Sequence, residues 1–256
     1  PYGCILVSGP TGSGKTTTLY SILKIINSRE KNITTVEDPV EYEIEGVNQV
    51  QINTKADLTF ARGLRSILRQ DPDIIMIGEI RDAETAEIAV NSAMTGHLVL
   101  STIHTNDAVT TVPRLIEMGV DPYLVANTIN TVIAQRLARK LCEKCKKKKV
   151  LTQAELDELS VYRPDIVAIL KSGESVYEEV GCESCSSGFK GRIGLYEVLE
   201  INESLRDLIL ERKSTDEIFK IARGNNFVLI LEDGVEKIRK GLISLNELIR
   251  VTALRE

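Results

Sequence analysis

Aromatic residues make up only 4% of the chain and tryptophan is absent. So few π-faces leave little on which bases of a nucleic acid could stack. A net charge of −5 likewise supplies no global pull toward nucleic acid or an anionic membrane, although local patches stay open. No apolar run approaches the length of a membrane span, and no signal peptide opens the chain. An initiator methionine is lacking too. Pro1-Tyr2-Gly3 runs straight into an apolar stretch, so the expectation is a fragment whose N-terminal part is missing. Cysteine is scarce but ordered: four of the five stand in two C-x-x-C pairs, which points to a metal site in a reducing cytosol rather than to disulfides. What remains is ordinary for a globular protein, with 43% apolar and 27% charged residues in 256. That length allows one substantial core and a second small unit.

The strongest signal is Gly9-Pro10-Thr11-Gly12-Ser13-Gly14-Lys15-Thr16, a complete match to the phosphate-loop (Walker A) pattern G-x-x-x-x-G-K-[ST]. Its surroundings are right. Cys4-Ile5-Leu6-Val7 reads as a buried strand entering the loop, and Thr17 to Asn27 as a helix with Leu19, Ile22, Leu23 and Ile26 on one face. Glycines let backbone N–H groups turn inward around phosphate oxygens, and the helix N-terminus adds a favourable dipole. Lys15 would reach the β- and γ-phosphates and the Thr16 hydroxyl would bind Mg²⁺, while Thr17 extends the nucleotide-binding set. The bland alternative, a glycine-rich turn that binds nothing, fits poorly with a strand before the loop and a helix after it.

Further along, Ile33 to Glu37 reads as a strand ending in the acidic turn Glu37-Asp38-Pro39-Val40-Glu41. Carboxylates there could hold Mg²⁺ or polarise water, or simply form a solvated turn. Val47 to Ile52 reads as a third strand. Thr59 to Arg69 reads as a helix with Phe60, Leu64, Ile67 and Leu68 inward and Arg62, Arg65 and Arg69 on another face. That basic stripe is either a solvated face or a set of arginines completing a neighbour's site. Ile74 to Ile77 is a fully apolar strand that delivers Glu79 at its tip, with Gly78 standing where a metal-binding aspartate is usual. Asp82 is the natural cap for a helix over Ala83 to Thr95. His97 and His104, the only histidines, bracket the buried strand Leu98 to Ile103. With Ser101, Thr102, Thr105 and Asn106 they suggest a polar cluster suited to sensing a γ-phosphate, His104 more than His97.

Past Arg139 the composition changes. Cys142 and Cys145 precede the lysine run 146–149, and Cys182 and Cys185 follow. Two knuckles supply four thiolates for a tetrahedral Zn²⁺, with lysines offsetting the anionic site. The span between them exceeds that of a compact zinc ribbon, and Ala154 to Leu170 looks helical, so the reading is an insertion clipped at its base. A structural zinc knot is preferred over a redox role. Cys4 is expected to be a buried core thiol. Gly191 to Glu197 returns to a strand pattern, and amphipathic helices follow over 205–210, 215–222, 232–240 and 245–252.

Taken in order, these boxes resemble the ATPases of type II secretion and type IV pilus assembly. The resemblance spans nearly the whole chain: the loop 9–16, Thr35 to Glu41, Arg69 to Asp82, Thr95 to His97, Ser101 to Asn106, the four cysteines and Leu231-Glu232-Asp233-Gly234. It implies an α/β fold with a RecA-like P-loop NTPase core over 1–140. A tetracysteine zinc element over 141–190 and a mainly helical subdomain over 191–256 would follow. It implies ATP, Mg²⁺ and Zn²⁺ as ligands, Glu41 as activator of water, Glu79 as support for the metal and His104 as nucleotide sensor. The cysteines point to the secretion or pilus-extension branch, since retraction motors lack them. The implied setting is cytoplasmic: a homohexamer peripheral to the inner membrane, bound to the cytoplasmic domains of a secretion or pilus platform. An upstream domain of the same protein would contribute arginines. A nucleic-acid-stimulated P-loop ATPase with a zinc module is the alternative. Acidic balance, few aromatics and the family boxes stand against a nucleic-acid partner. An inactive nucleotide-binding scaffold is disfavoured by the presence of Glu41 and Glu79.

Overall fold

The computed structural model describes residues 2–253. In chain order the elements begin with β1 (Gly3–Ser8), α1 (Lys15–Ile26), β2 (Ile33–Glu37), β3 (Val47–Gln51), α2 (Phe60–Ile67), β4 (Ile74–Ile77), α3 (Ala83–Met94) and β5 (Leu98–Ile103). They continue through α4 (Thr111–Glu117), α5 (Pro122–Thr128), β6 (Ile129–Leu141), β7 (Lys147–Val150), α6 (Gln153–Ser160), α7 (Pro164–Val167) and β8 (Ser175–Glu178). The last are β9 (Phe189–Glu200), α8 (Glu203–Leu210), α9 (Thr215–Gly224), α10 (Ile230–Arg239) and α11 (Leu245–Thr252). The chain from Thr110 passes through α4 and α5 into the long strand β6, and the helix expected over Ala154 to Leu170 breaks between α6 and α7. The break falls just before Pro164, which opens α7 in its first turn, where a missing N–H costs nothing.

Two compact units emerge. Among the described residues the first holds everything up to Ala134 together with Val198–Phe227, and the second holds Gln135–Glu197 and the chain from Val228 onward. The expected divisions at 140 and 190 fall a few residues away from these, and in each case within the same strand, β6 or β9. The C-terminal helices are therefore divided: α8 and α9 belong to the first unit, α10 and α11 to the second.

The first unit is built on a parallel sheet. The seven-stranded order is β3-β2-β4-β5-β1-β6-β9, and each neighbouring pair from β3 to β6 is parallel. Every residue of β2 and β4 is buried, as expected of strands covered on both faces. Leu19, Tyr20 and Leu23 of α1 pack with Val7, Ile33, Met76 and Leu100 from four strands. On α2, Gly63 allows close approach to β2: a Cβ there would lie 2.9 Å from Val36 Cγ1. Arg62 and Arg65 of the basic stripe are exposed and pair with Asp57 and Glu84.

The second unit has its own core, including Leu156, Leu159, Ile166, Val176, Leu195, Val235, Ile238 and Leu248. Strand β7, carrying the lysine run, pairs antiparallel with β8. Glu247 is a charged group here whose side chain is wholly buried. Burial alone would favour its neutral form. Hydrogen bonds from Arg250 and from the Arg139 side chain and backbone outweigh that and hold its carboxyl down at about 2. The contacts are short, at 2.7 Å to Arg139 Nη2 and 2.5 Å to Arg250 Nη2. The Arg139 guanidinium also lies 4.0 Å from the centre of the Phe189 ring.

Because the folded pKa lies below the ordinary carboxyl value of about 4.3, this stabilisation is complete above that pH and drains away as pH falls toward 2. The shift corresponds to roughly 3 kcal/mol. Glu247→Gln should destabilise the second unit at neutral pH and flatten its stability between about pH 4.3 and 2, read as urea midpoints across that range.

Candidate functional site

Parallel pairing sends the C-terminal ends of β2, β4, β5 and β1 to one edge of the sheet. The segments leaving that edge are, in spatial order, the acidic turn 38–41, Gly78-Glu79, His104 with its loop, and the phosphate loop. Register aligns them: Val36 pairs with Ile77, Ile77 with Ser101, and Ser8 with Ile103.

The phosphate loop depends on glycine at points of positive φ, with Gly9 at 142°, Gly12 at 78° and Gly14 at 89°. Gly14 is the N-cap of α1 and offers no side chain to its first turn. The backbone N–H groups there suit an external anion, and no acidic residue lies in that turn to compete. Lys15 Nζ arches back over the loop and donates to the carbonyls of Gly9 at 2.8 Å and Pro10 at 3.2 Å. Thr16 and Thr17 follow in the first turn of α1.

Glu79 is largely shielded and sits between two nitrogen-bearing groups. Arg81 Nη2 lies 2.5 Å from Oε1 and His104 Nε2 lies 3.4 Å from Oε2. The hydrogen bond to Glu79 raises the affinity of the Arg81 guanidinium for its proton. Strand β5 holds this tip in place from within the sheet. Ser101 Oγ donates to Ile77 O at 2.9 Å, Thr102 Oγ1 to Gly78 O at 2.7 Å, and Ile80 N–H to Thr102 O at 2.8 Å. Those two hydroxyls, grouped in the sequence with the polar cluster, are thus spent inside the fold. Gly78 has a steric reason. A Cβ there would sit 3.3 Å from both Glu37 Cα and Val36 O, so an aspartate would press on the neighbouring strand.

The two histidines part company. His104 joins Glu79 at the loop edge. His97 precedes β5 and so lies at the opposite edge, where its Nδ1 sits 2.9 Å from Ser92 O and 3.3 Å from Thr95 Oγ1 at the end of α3. Its part is structural. Asp82 caps α3 as expected, accepting from Thr85 N–H at 2.8 Å.

The acidic turn also divides. Glu41 and Asp38 are exposed. Glu37 is buried on β2, and its carboxylate accepts from Thr35 Oγ1 at 2.6 Å, Gln49 Nε2 at 3.0 Å and the Tyr20 hydroxyl. In the sequence Glu37 is one of a set of turn carboxylates and nothing marks Tyr20. Only the burial of both side chains against one another distinguishes them.

In the second unit, Cys142, Cys145, Cys182 and Cys185 bring their four sulfurs within 4.8 Å of one another. Separations of 4.0 Å (142–182), 3.7 Å (145–185) and 3.6 Å (182–185) are close to the edge of about 3.8 Å set by a tetrahedron with Zn–S bonds near 2.3 Å. These residues fit Zn²⁺. Lys146 secures the knuckle, donating to Gly241 O at 2.9 Å and lying 5.0 Å above the Tyr177 ring. Cys4 is separate and buried, and burial pushes its thiol up to about 12.

Among solved structures, the pilus retraction motor PilT with bound ADP superposes with a TM-score of 0.72 at 30% identity, covering 99% of this chain and 62% of that one. The ATPase DotB of Legionella pneumophila gives 0.68 at 26% identity, covering 98% of this chain and 60% of that one. Type II secretion system protein E of Aeromonas hydrophila is 48% identical over 253 residues, covering 98% of this chain and 49% of the relative. The type IV pilus assembly ATPase PilB of Acinetobacter baylyi is 49% identical over 253 residues, covering 99% of this chain and 43% of the relative. The chain thus spans about half the length of the curated relatives it matches. The family model described as "Type II/IV secretion system protein" matches residues 1–250, and the chain belongs to that family.

Proposed function

We propose that this chain is the ATP-hydrolysing portion of a hexameric motor that powers type II secretion or type IV pilus assembly at the cytoplasmic face of the inner membrane. The observation that carries the reading is the single sheet edge at which the phosphate loop, His104, Glu79 and the acidic turn all emerge. The names of the relatives, a secretion protein E and a pilus assembly ATPase, support it. No described helix is long and apolar enough to cross a membrane.

In this reading the loop 9–16 and Thr17 cradle the triphosphate through backbone N–H groups, and Lys15 turns from its carbonyl partners to the γ-phosphate. Mg²⁺, when bound, would supply positive charge to offset that of the triphosphate. The Thr16 hydroxyl would hold it directly. Glu79 would hold it through water, since Gly78 leaves no carboxylate closer to the strand. Glu41, exposed at the rim, takes the proton from attacking water. His104 reports the state of the γ-phosphate to the Glu79 tip, from which it stands 3.4 Å away. The four cysteines hold Zn²⁺ as a structural tie within the second unit.

Lys15→Ala should abolish hydrolysis and greatly weaken triphosphate binding, while Glu41→Gln keeps binding and slows turnover. Nucleotide titration and phosphate release from each variant decide. Parental turnover in Glu41→Gln with a dead Glu79→Gln would move the base to Glu79.

Metal analysis should find one Zn²⁺ per chain, and near-zero zinc with reduced Cys142 and Cys145 would sink that assignment. Cys142→Ser should lower the stability of the second unit and spare ATP binding, because the phosphate loop belongs to the first.

Arginines supplied from outside a phosphate-loop core contribute roughly 10³–10⁵ in rate. This chain alone should therefore bind ATP with Mg²⁺ yet hydrolyse it far more slowly than a protein carrying the upstream domain, and the longer form should accelerate under conditions that favour hexamers. Equal, concentration-independent specific activity of the two would show that the core already holds every catalytic group.

A further inference from the structure

Tyr20 is a large polar side chain with no exposed surface, and it stands four residues beyond Thr16 on α1, so the two share a helix face. Its hydroxyl is a junction. It donates to Glu37 Oε2, and its oxygen accepts from the backbone N–H of Glu41 and from Gln49 Nε2, each at 3.3 Å. Glu37, also buried, completes its set with Thr35 and Gln49. The helix that starts in the phosphate loop is in this way bonded to the main chain of the residue proposed as the base.

The rest of the acidic loop is held from the same side. Gln49 Oε1 accepts from Ile44 N–H at 2.7 Å, and Gln49 Nε2 donates to Tyr42 O at 3.2 Å. Gln51 Oε1 accepts from Val40 N–H at 3.3 Å. The Tyr42 ring meets the Tyr20 ring edge-on at 4.7 Å, with Lys24 Nζ 4.6 Å from its centre. Tyr20 is the member of this network that reaches both the Glu37 carboxylate and the Glu41 backbone.

We infer that Tyr20 is a positioning residue for hydrolysis: through its hydroxyl the buried Glu37 carboxylate fixes the main chain at Glu41 relative to the phosphate-loop helix. The inference rests on the reading of Glu41 as the base. Burial, followed by the hydrogen bond and the negative charge of Glu37, pushes the Tyr20 phenol up, which favours its protonated, donating form. Precise placement of a base matters because small displacements at a reacting centre cost large factors in rate, while ground-state binding is untouched.

The test is Tyr20→Phe in the full-length protein, which keeps the ring and its contact with Tyr42 and deletes only the junction. Nucleotide affinity and KM should stay within about twofold while kcat falls roughly tenfold. In a Glu41→Gln background, adding Tyr20→Phe should cost nothing more, since no base remains to be misplaced. If Tyr20→Phe alone leaves Glu37 too poorly paired to fold, Tyr20→Phe with Glu37→Gln removes the buried charge, and the same split should appear. Parental kcat in the folded variant overturns the inference, as does an equal loss with and without Glu41→Gln. In either case a slow Glu41→Gln would leave the base assignment standing. Parental turnover in Glu41→Gln itself would show instead that the base reading has failed, and the positioning role with it.

Discussion

Parallel pairing of β2, β4, β5 and β1 is the constraint on which the site depends. Each strand of a parallel sheet presents its C-terminal end on the same side, so Glu79 and His104, 25 positions apart, and Gly9 and His104, 95 positions apart, leave the sheet on neighbouring strands. Strand β5, placed between β4 and β1, carries much of this arrangement. Its serine and threonine hydroxyls bind the carbonyls that precede Glu79, and its next exit residue is His104. The carboxylate and the imidazole meet because the strands do.

The close spacing of strands also decides which residues can stand at their tips. Gly78 lies against the backbone of β2, so the carboxylate appears one position later, at Glu79. Gly63 likewise gives α2 close access to Val36. Tight packing on both faces of β2 leaves Glu37 without water, and the fold meets that cost with three donors from α1, β2 and β3. The hydrogen bonds that satisfy a buried carboxylate thereby hold a surface loop.

The second unit resolves the same problem with charge. Glu247 is buried between two arginines, and beside the tetracysteine cluster Lys146 pairs with Glu143. Here the tetracysteine cluster and the antiparallel pair β7–β8 belong with helices to one unit. Lys146 serves both, through Gly241 and the Tyr177 ring.

Local chemistry was legible in the sequence. The phosphate loop needs glycine at fixed steps, the C-x-x-C pairs need their two-residue spacing, and Asp82 caps a helix three residues ahead of its donor. Apolar runs marked β1, β4 and β5 because buried parallel strands leave no polar alternation to confuse them. Interactions across long sequence separations were not legible. Nothing in the residues near His97 and His104 says that one faces the site and the other caps a helix, because strand direction within the sheet decides it. The boundaries at 140 and 190 followed composition, whereas β6 and β9 pass through them as continuous hydrogen-bonded strands. Glu37 and Glu41 look alike in an acidic turn, and only the tertiary structure, by burying one against Tyr20 and leaving the other in solvent, gives them different work.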